Sequence, residues 1–176
     1  HPRMNPGLSP RRDGSLEPLQ YDLSFDEMVE YLPEENDDVM LSYLSDKTKD
    51  PAERFICKAG KSGCCISPDG TVYPCIMMPM AVGNLREKSF KEIWHTEPSN
   101  DLKRLRNLTS DDLPVCSRCE LAQYCIRCPG VVYLETGDIV GASPSACKYA
   151  KWREYSKNQK GKGIMVMQST GSKSAD

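Results

Sequence analysis

Apolar and polar positions along the chain mark out a series of short elements. Ser24 with Glu27 three residues on reads as a capping box, and Leu23, Met28, Val29 and Leu32 form an apolar stripe that Pro33 ends, which predicts one helix. Further on, Cys64-Cys65-Ile66-Ser67 and Thr71-Val72-Tyr73-Pro74-Cys75 flank Pro68-Asp69-Gly70. Proline sets φ and glycine supplies the turn, so a β-hairpin is expected there, bringing Cys64 or Cys65 near Cys75. Ser89 and Glu92 repeat the capping box ahead of Phe90, Ile93 and Trp94, and Leu102, Leu105 and Leu108 predict a helix starting near Ser99 or Asn100. Val131-Val132-Tyr133-Leu134 and Ile139-Val140 around Thr136-Gly137-Asp138 read as a second hairpin. Ser143-Pro144 then reads as an N-cap with proline at the first helical position, opening a helix with Cys147, Tyr149, Ala150 and Trp152.

The remainder is punctuation. Residues 1–22 carry Pro2, Pro6-Gly7, Pro10, Asp13-Gly14 and Pro18; Val39 to Leu44 is a short apolar segment, and charged residues from Ser45 to Arg54 link it to the first cysteine. From Asn158 on, Gly, Ser and Lys dominate, and a disordered tail is expected. Three segments are expected: 1–50, 51–157 and the tail 158–176.

Composition changes the picture because of cysteine. Nine cysteines stand in a chain of 176 residues with 7% aromatics and a mean hydropathy of −0.55, too little apolar bulk for a self-sufficient core. The thiols fall in two sets with an outlier: Cys57, Cys64, Cys65 and Cys75; then Cys116, Cys119, Cys125 and Cys128; and finally Cys147. Two Cys-x-x-Cys pairs and an odd total favour metal over disulfides, and hence a reducing, cytoplasmic setting. No leader-like segment precedes the domain, and no apolar run is long enough to span a membrane. A net charge of −2 makes no case for nucleic acid, and the clusters Lys103-Arg104-Leu105-Arg106 and Lys148 to Lys162 are expected to be solvated helix faces. His95 reads as a surface residue, and Met77, Met78 and Met80 as core filling. Asp69, Glu135 and Asp138 are explained by turn chemistry, so no acid, base or nucleophile is assigned.

Nine thiols and two histidines suit two four-thiolate sites, which both zinc ribbons and iron–sulfur clusters use. The upstream set has no Cys-x-x-Cys, and such spread ligands suit a cubane better than one small ion.

From Cys57 the sequence resembles the SPASM domain, a cysteine-rich extension of many radical S-adenosylmethionine enzymes. The resemblance rests on Cys57, twelve residues, Gly70, four residues and Cys75; on Cys116-x2-Cys119-x5-Cys125, Cys128 and Cys147; and on Pro68 to Cys75, Gly83-Asn84-Leu85 and Glu92-Ile93-Trp94. It implies an α+β fold: a small, irregular cysteine-rich domain with two β-hairpins and short helices around two [4Fe-4S] clusters. Cys57, one of Cys64 and Cys65, Cys75 and Cys128 would bind the first cluster, with Cys128 crossing over; Cys116, Cys119, Cys125 and Cys147 would bind the second. The family pattern has three residues where two separate Cys125 and Cys128, a spacing that also permits joint chelation of one centre. The Cys-x3-Cys-x2-Cys motif of the catalytic cluster is absent.

Residues 1–32 resemble the end of a (β/α) radical S-adenosylmethionine barrel, and with His1 in place of Met the chain is expected to be a C-terminal piece. S-adenosylmethionine and a third cluster would belong to the parent enzyme only. The implied role is electron transfer and substrate positioning in a peptide or protein maturase, with a small redox protein as partner. A zinc-binding structural or interaction module is the alternative, and a disulfide-knit secreted domain a third.

Overall fold

The structure, a computed structural model, describes residues 7–32 and 57–169, with side chains through 159. Pro2, Pro6, the apolar segment Val39–Leu44 and the linker Ser45–Arg54 lie outside the described residues.

Helix α1 (Phe25–Tyr31) begins with the expected capping box: the Glu27 amide donates to Ser24 Oγ at 3.3 Å, and the Ser24 amide donates to the Glu27 carboxylate at 2.8 Å. Its buried Met28 packs with Tyr149 and Trp152, and Leu23, Phe25 and Leu32 lie around them. Both aromatic partners come from α4 (Pro144–Ser169), whose first turn is capped by Ser143 Oγ accepting from the Ala146 amide at 3.0 Å. Asp22, 3% exposed, fastens this contact by accepting from Lys148 Nζ at 2.5 Å and from the Tyr149 hydroxyl at 2.6 Å. Burial first, and the Asp22 carboxylate second, push the Tyr149 phenol well above its ordinary range. Helix α4 carries on past Asn158, where the disordered tail was expected to start. No proline follows Pro144 to interrupt its ladder.

The predicted first hairpin is present. Strands β1 (Cys65–Ile66) and β2 (Thr71–Tyr73) are antiparallel, pairing Cys65 with Tyr73 and Ile66 with Val72. A third strand, β3 (Gly83–Asn84), pairs with the other edge of β2. The turn is held from several sides: the Gly70 amide donates to Ser67 O at 2.9 Å, the Thr71 amide to the Asp69 carboxylate at 3.1 Å, and Arg86 Nε to Asp69 O at 2.9 Å. Beneath the sheet, Val72, Val82, Ile93, Trp94 and Leu102 form a buried apolar cluster. Ile93 and Trp94 belong to the turn opened by the second capping box, where the Ser89 amide donates to Glu92 at 2.8 Å and the last residues, Glu92–Thr96, wind as a π-helix. Phe90 stacks on Trp94 with ring centres 5.3 Å apart.

Helix α2 (Asn100–Asn107), capped by Ser99, joins two cores. Leu102 enters the cluster under the sheet, whereas Leu105 belongs to a second one with Ala59, Met78, Leu108, Leu113 and Ile139. Arg106 is not the solvated charge expected of its basic cluster: it donates to Gly60 O at 2.5 Å and Trp94 O at 2.8 Å and lies over the Trp94 ring.

The second hairpin is absent, and residues Pro129–Thr136 form helix α3 instead. Pro129 stands at the first helical position, and Gly137 ends the helix with φ +78°, its amide donating to Tyr133 O at 2.8 Å. Thr136 Oγ1 returns to Val132 O at 2.7 Å. These end signals outweigh the β preference of Val131 and Val132, so the strand reading of 131–140 is corrected. Among the described residues the fold is therefore α+β with one three-stranded antiparallel sheet. Among the described residues, no helix is long and apolar enough to cross a membrane.

Candidate metal centres

All nine cysteines are free thiols, and the fold gathers them from different elements. In the upstream set, the chain from Cys57 to Gly63 folds back on the end of β2: the Gly60 amide donates to Pro74 O at 2.9 Å, and Ala59 bridges Gly63. This brings Cys57 and Cys75 onto one apolar cluster, where both are partly buried beside Met78 and Ala59. The Ala59 amide donates to Cys57 Sγ at 3.3 Å. Cys75 bridges Met78 in a tight turn.

Cys64 and Cys65 separate on the strand. Cys65 lies opposite Tyr73, so side-chain alternation puts these two on the same face, and Cys64 on the other. Cys64 is exposed and Cys65 half-buried. Arg12 Nη1 lies 3.8 Å from Cys65 Sγ, its guanidinium 4.5 Å from the centre of the Tyr73 ring. Sequence reasoning passed over Arg12, because nothing in residues 1–22 signals an approach to a hairpin fifty residues away.

The downstream set hangs on 3₁₀ turns, Cys116–Arg118 and Glu120–Tyr124, with Cys119 between them. Their ladder is local: the Cys119 amide donates to Cys116 O, Ala122 to Cys119 O, and Cys125 to Ala122 O, at 3.1–3.2 Å. Cys147 comes from the first turn of α4, which packs along the same turns, with Arg153 Nη1 donating to Tyr124 O at 3.3 Å. The thiols form one electrostatic group. Burial pushes the Cys125 thiol up to about 11, and negative charge on Cys147, Cys116 and Cys119 adds to it. Burial, then Cys116 and Cys119, raises Cys147 as well. Cys125 and Cys147 thus resist ionising unaided, and a bound cation reverses that tendency by taking thiolates as ligands. The thiols sense one another without closing on a point: among the described residues, no three His, Cys, Asp or Glu side chains form a pocket for a single ion.

Cys128 falls between the two sets. It caps α3, and two residues later Gly130 lies directly on the Cys75–Met78 turn, where a Cβ would collide with Met77 O. Only glycine allows this approach of the loop that follows Cys128 to the Cys75–Met78 turn.

Arg127, between Cys125 and Cys128, drew no reading from the sequence. Its Nη2 donates to Gly141 O at 2.9 Å and to Ile139 O, while its buried Nε and Nη1 find no acceptor in the protein. Asp69 and Asp138 do turn and surface work, as expected: Asp138 pairs with Arg104 at 3.0 Å. Glu135 accepts from Ser143 and Ser145, holding the start of α4. His95 is exposed.

These donors fit iron–sulfur clusters. Each of the two sets offers soft thiolates, the ligand type such clusters use, and the guanidinium of Arg127, between Cys125 and Cys128 in the chain, keeps buried donors without a protein acceptor.

Comparison with known proteins agrees. Two curated relatives are AdoMet-dependent heme synthases: that of Methanosarcina barkeri is 35% identical over 89 residues, covering 50% of this chain and 24% of the relative. That of Nitratidesulfovibrio vulgaris is 31% identical over 93 residues, covering 53% of this chain and 24% of the relative. The chain thus spans about a quarter of the length of the curated relatives it matches. No solved structure matches. Residues 57–120 match the model of the SPASM family, an iron–sulfur cluster-binding domain.

Proposed function

We propose that the chain is the auxiliary electron-transfer part of a radical S-adenosylmethionine enzyme and holds two [4Fe-4S] clusters. Cys57, Cys65, Cys75 and Cys128 would hold the first, and Cys116, Cys119, Cys125 and Cys147 the second. The observation that carries this is the shared field of Cys116, Cys119, Cys125 and Cys147, which arrive from two 3₁₀ turns and a helix. Cys65 is preferred to Cys64 because it is half-buried and pairs with Tyr73 at the end of β2, two residues before Cys75. Cys128 is assigned upstream because Gly130 seats its loop on the Cys75–Met78 turn.

When bound, such clusters accept and release single electrons. The chain's own residues hold and shelter them. Four thiolates per cluster leave no open iron for a substrate, which favours electron relay over direct binding. The Ala59 amide donates to Cys57 Sγ, while Met78, Leu105, Leu108 and Leu113 exclude water between the two sets. The catalytic cluster and S-adenosylmethionine would belong to the rest of the enzyme, the working compartment would be the reducing cytoplasm, and a small redox protein would exchange electrons with it.

The names of both curated relatives favour heme synthesis as the reaction of the whole enzyme over the peptide or protein modification expected from the resemblance. Anaerobic reconstitution of the chain with iron and sulfide tests the central reading. About eight irons and eight labile sulfides per chain are expected, with brown colour. Stoichiometric zinc without sulfide would instead establish the zinc-binding module.

A further inference from the structure

Arg127 occupies the two-residue gap between Cys125 and Cys128, the ligands assigned to different clusters. One amino group, Nη2, is anchored on Ile139 O and Gly141 O, in the connection between α3 and α4. Ile139 belongs to the apolar cluster against which Cys57, Cys75 and Cys116 are packed, so the guanidinium is anchored on a residue of a cluster that members of both thiol sets border. Its other edge, Nε and Nη1, carries three N–H donors, is buried, and has no protein acceptor. Leaving several donors of a buried cation unpaired costs far more than one neutral hydrogen bond. No carboxylate is among the groups it bonds, so its charge is not balanced by a direct ion pair.

An iron–sulfur cluster on four thiolates supplies what is missing: sulfur acceptors and net negative charge. Resting on the reading of the cysteines given above, we propose that Arg127 donates Nε–H and Nη1–H to sulfur of an auxiliary cluster and holds that cluster's reduction potential up. Hydrogen bonds to cluster sulfur and a nearby positive charge both favour the reduced, more negative state. The planar fork of arginine suits this role. Backbone carbonyls fix one amino group, and the opposite edge is thereby oriented without further side chains. The two-residue spacing gains a purpose, since it ties a single cation to both ligand loops.

The test is a redox titration of the reconstituted full chain, followed by electron paramagnetic resonance, in the wild type, Arg127→Met and Arg127→Lys. Iron and sulfide contents and thermal midpoints are measured alongside. Arg127→Met is expected to lower the potential of at least one cluster by roughly a tenfold change in its reduction equilibrium, about 59 mV for one electron. Arg127→Lys, which keeps the charge but not the fork, is expected to lower it less. A merely structural arginine would reduce thermal stability in both variants and leave the potentials of the remaining clusters where they were, and that result would overturn the inference. Wild-type chain that takes up no cluster at all would overturn the reading of the cysteines, and this inference with it.

Discussion

The two thiol-bearing regions are built in opposite ways. The upstream cysteines sit on a hairpin whose turn is tied by Ser67, Asp69, Asn84 and Arg86, and whose apolar floor of Val72, Val82, Ile93, Trp94 and Leu102 contains no cysteine. Cys116, Cys119 and Cys125 lie on or beside consecutive 3₁₀ turns with no sheet, Cys147 joins them from α4, and Val115 beside them is 63% exposed. Geometry is imposed on the first set by backbone hydrogen bonds and apolar burial. It is left in the second set to packing against α4 and to whatever the thiols bind. Metal binding and folding are coupled most tightly where the protein supplies least structure of its own.

The sharpest way to break this contrast is to withhold iron. Amides of residues 116–128 are expected to exchange by about tenfold or more faster in the metal-free chain, while those of 65–73 and 82–84 keep most of their protection. Equal loss in both regions, followed by hydrogen exchange, would show that the hairpin also depends on metal. A mutation can reverse the roles. Leu102→Ala removes a fully buried side chain from the floor beneath the sheet and is expected to cost about 2–5 kcal/mol, measured by denaturant unfolding of the reconstituted chain. Its spectroscopic effect should fall on the upstream cluster first. Gly130→Ala acts at the seam between the regions: its methyl would collide with Met77 O, at a cost of about 1–3 kcal/mol. It should displace the Cys128 loop and release iron from the upstream site; a variant with full iron content and unchanged stability would remove the main support for that seam.

How much of this was legible in the chain follows the same division. The first hairpin, both capping boxes and α2 were readable because each is dictated locally: Pro68-Asp69-Gly70 makes a turn, and Ser24, Ser89 and Ser99 satisfy amides that nothing else reaches. Residues 129–136 misled because Val131, Val132 and Tyr133 favour strands, while the signals that prevailed, Pro129 and Gly137, lie at the ends of the element. β3 was missed since Gly83-Asn84 has no strand pattern and pairs only because β2 offers an edge. The cysteine spacings led to the expectation of two four-thiol sets, yet spacing says nothing of which half of a Cys-x-x-Cys faces which set. That information lies in Gly130 against Met77, a contact between residues far apart in the chain. Arg106 read as a surface charge and Arg127 was passed over, because a basic side chain in the sequence carries no sign of the carbonyls that will take it inside.

The central claim is that Cys125 and Cys128 serve different clusters, and iron counting in a double variant tests it most directly. Cys119→Ala and Cys128→Ala, each reconstituted anaerobically, are expected to keep about four irons, one cluster apiece. If the ligands cross, the double variant loses both clusters and keeps close to none. A double variant that still holds about four irons, like either single one, would place Cys119 and Cys128 on the same cluster and contradict the assignment.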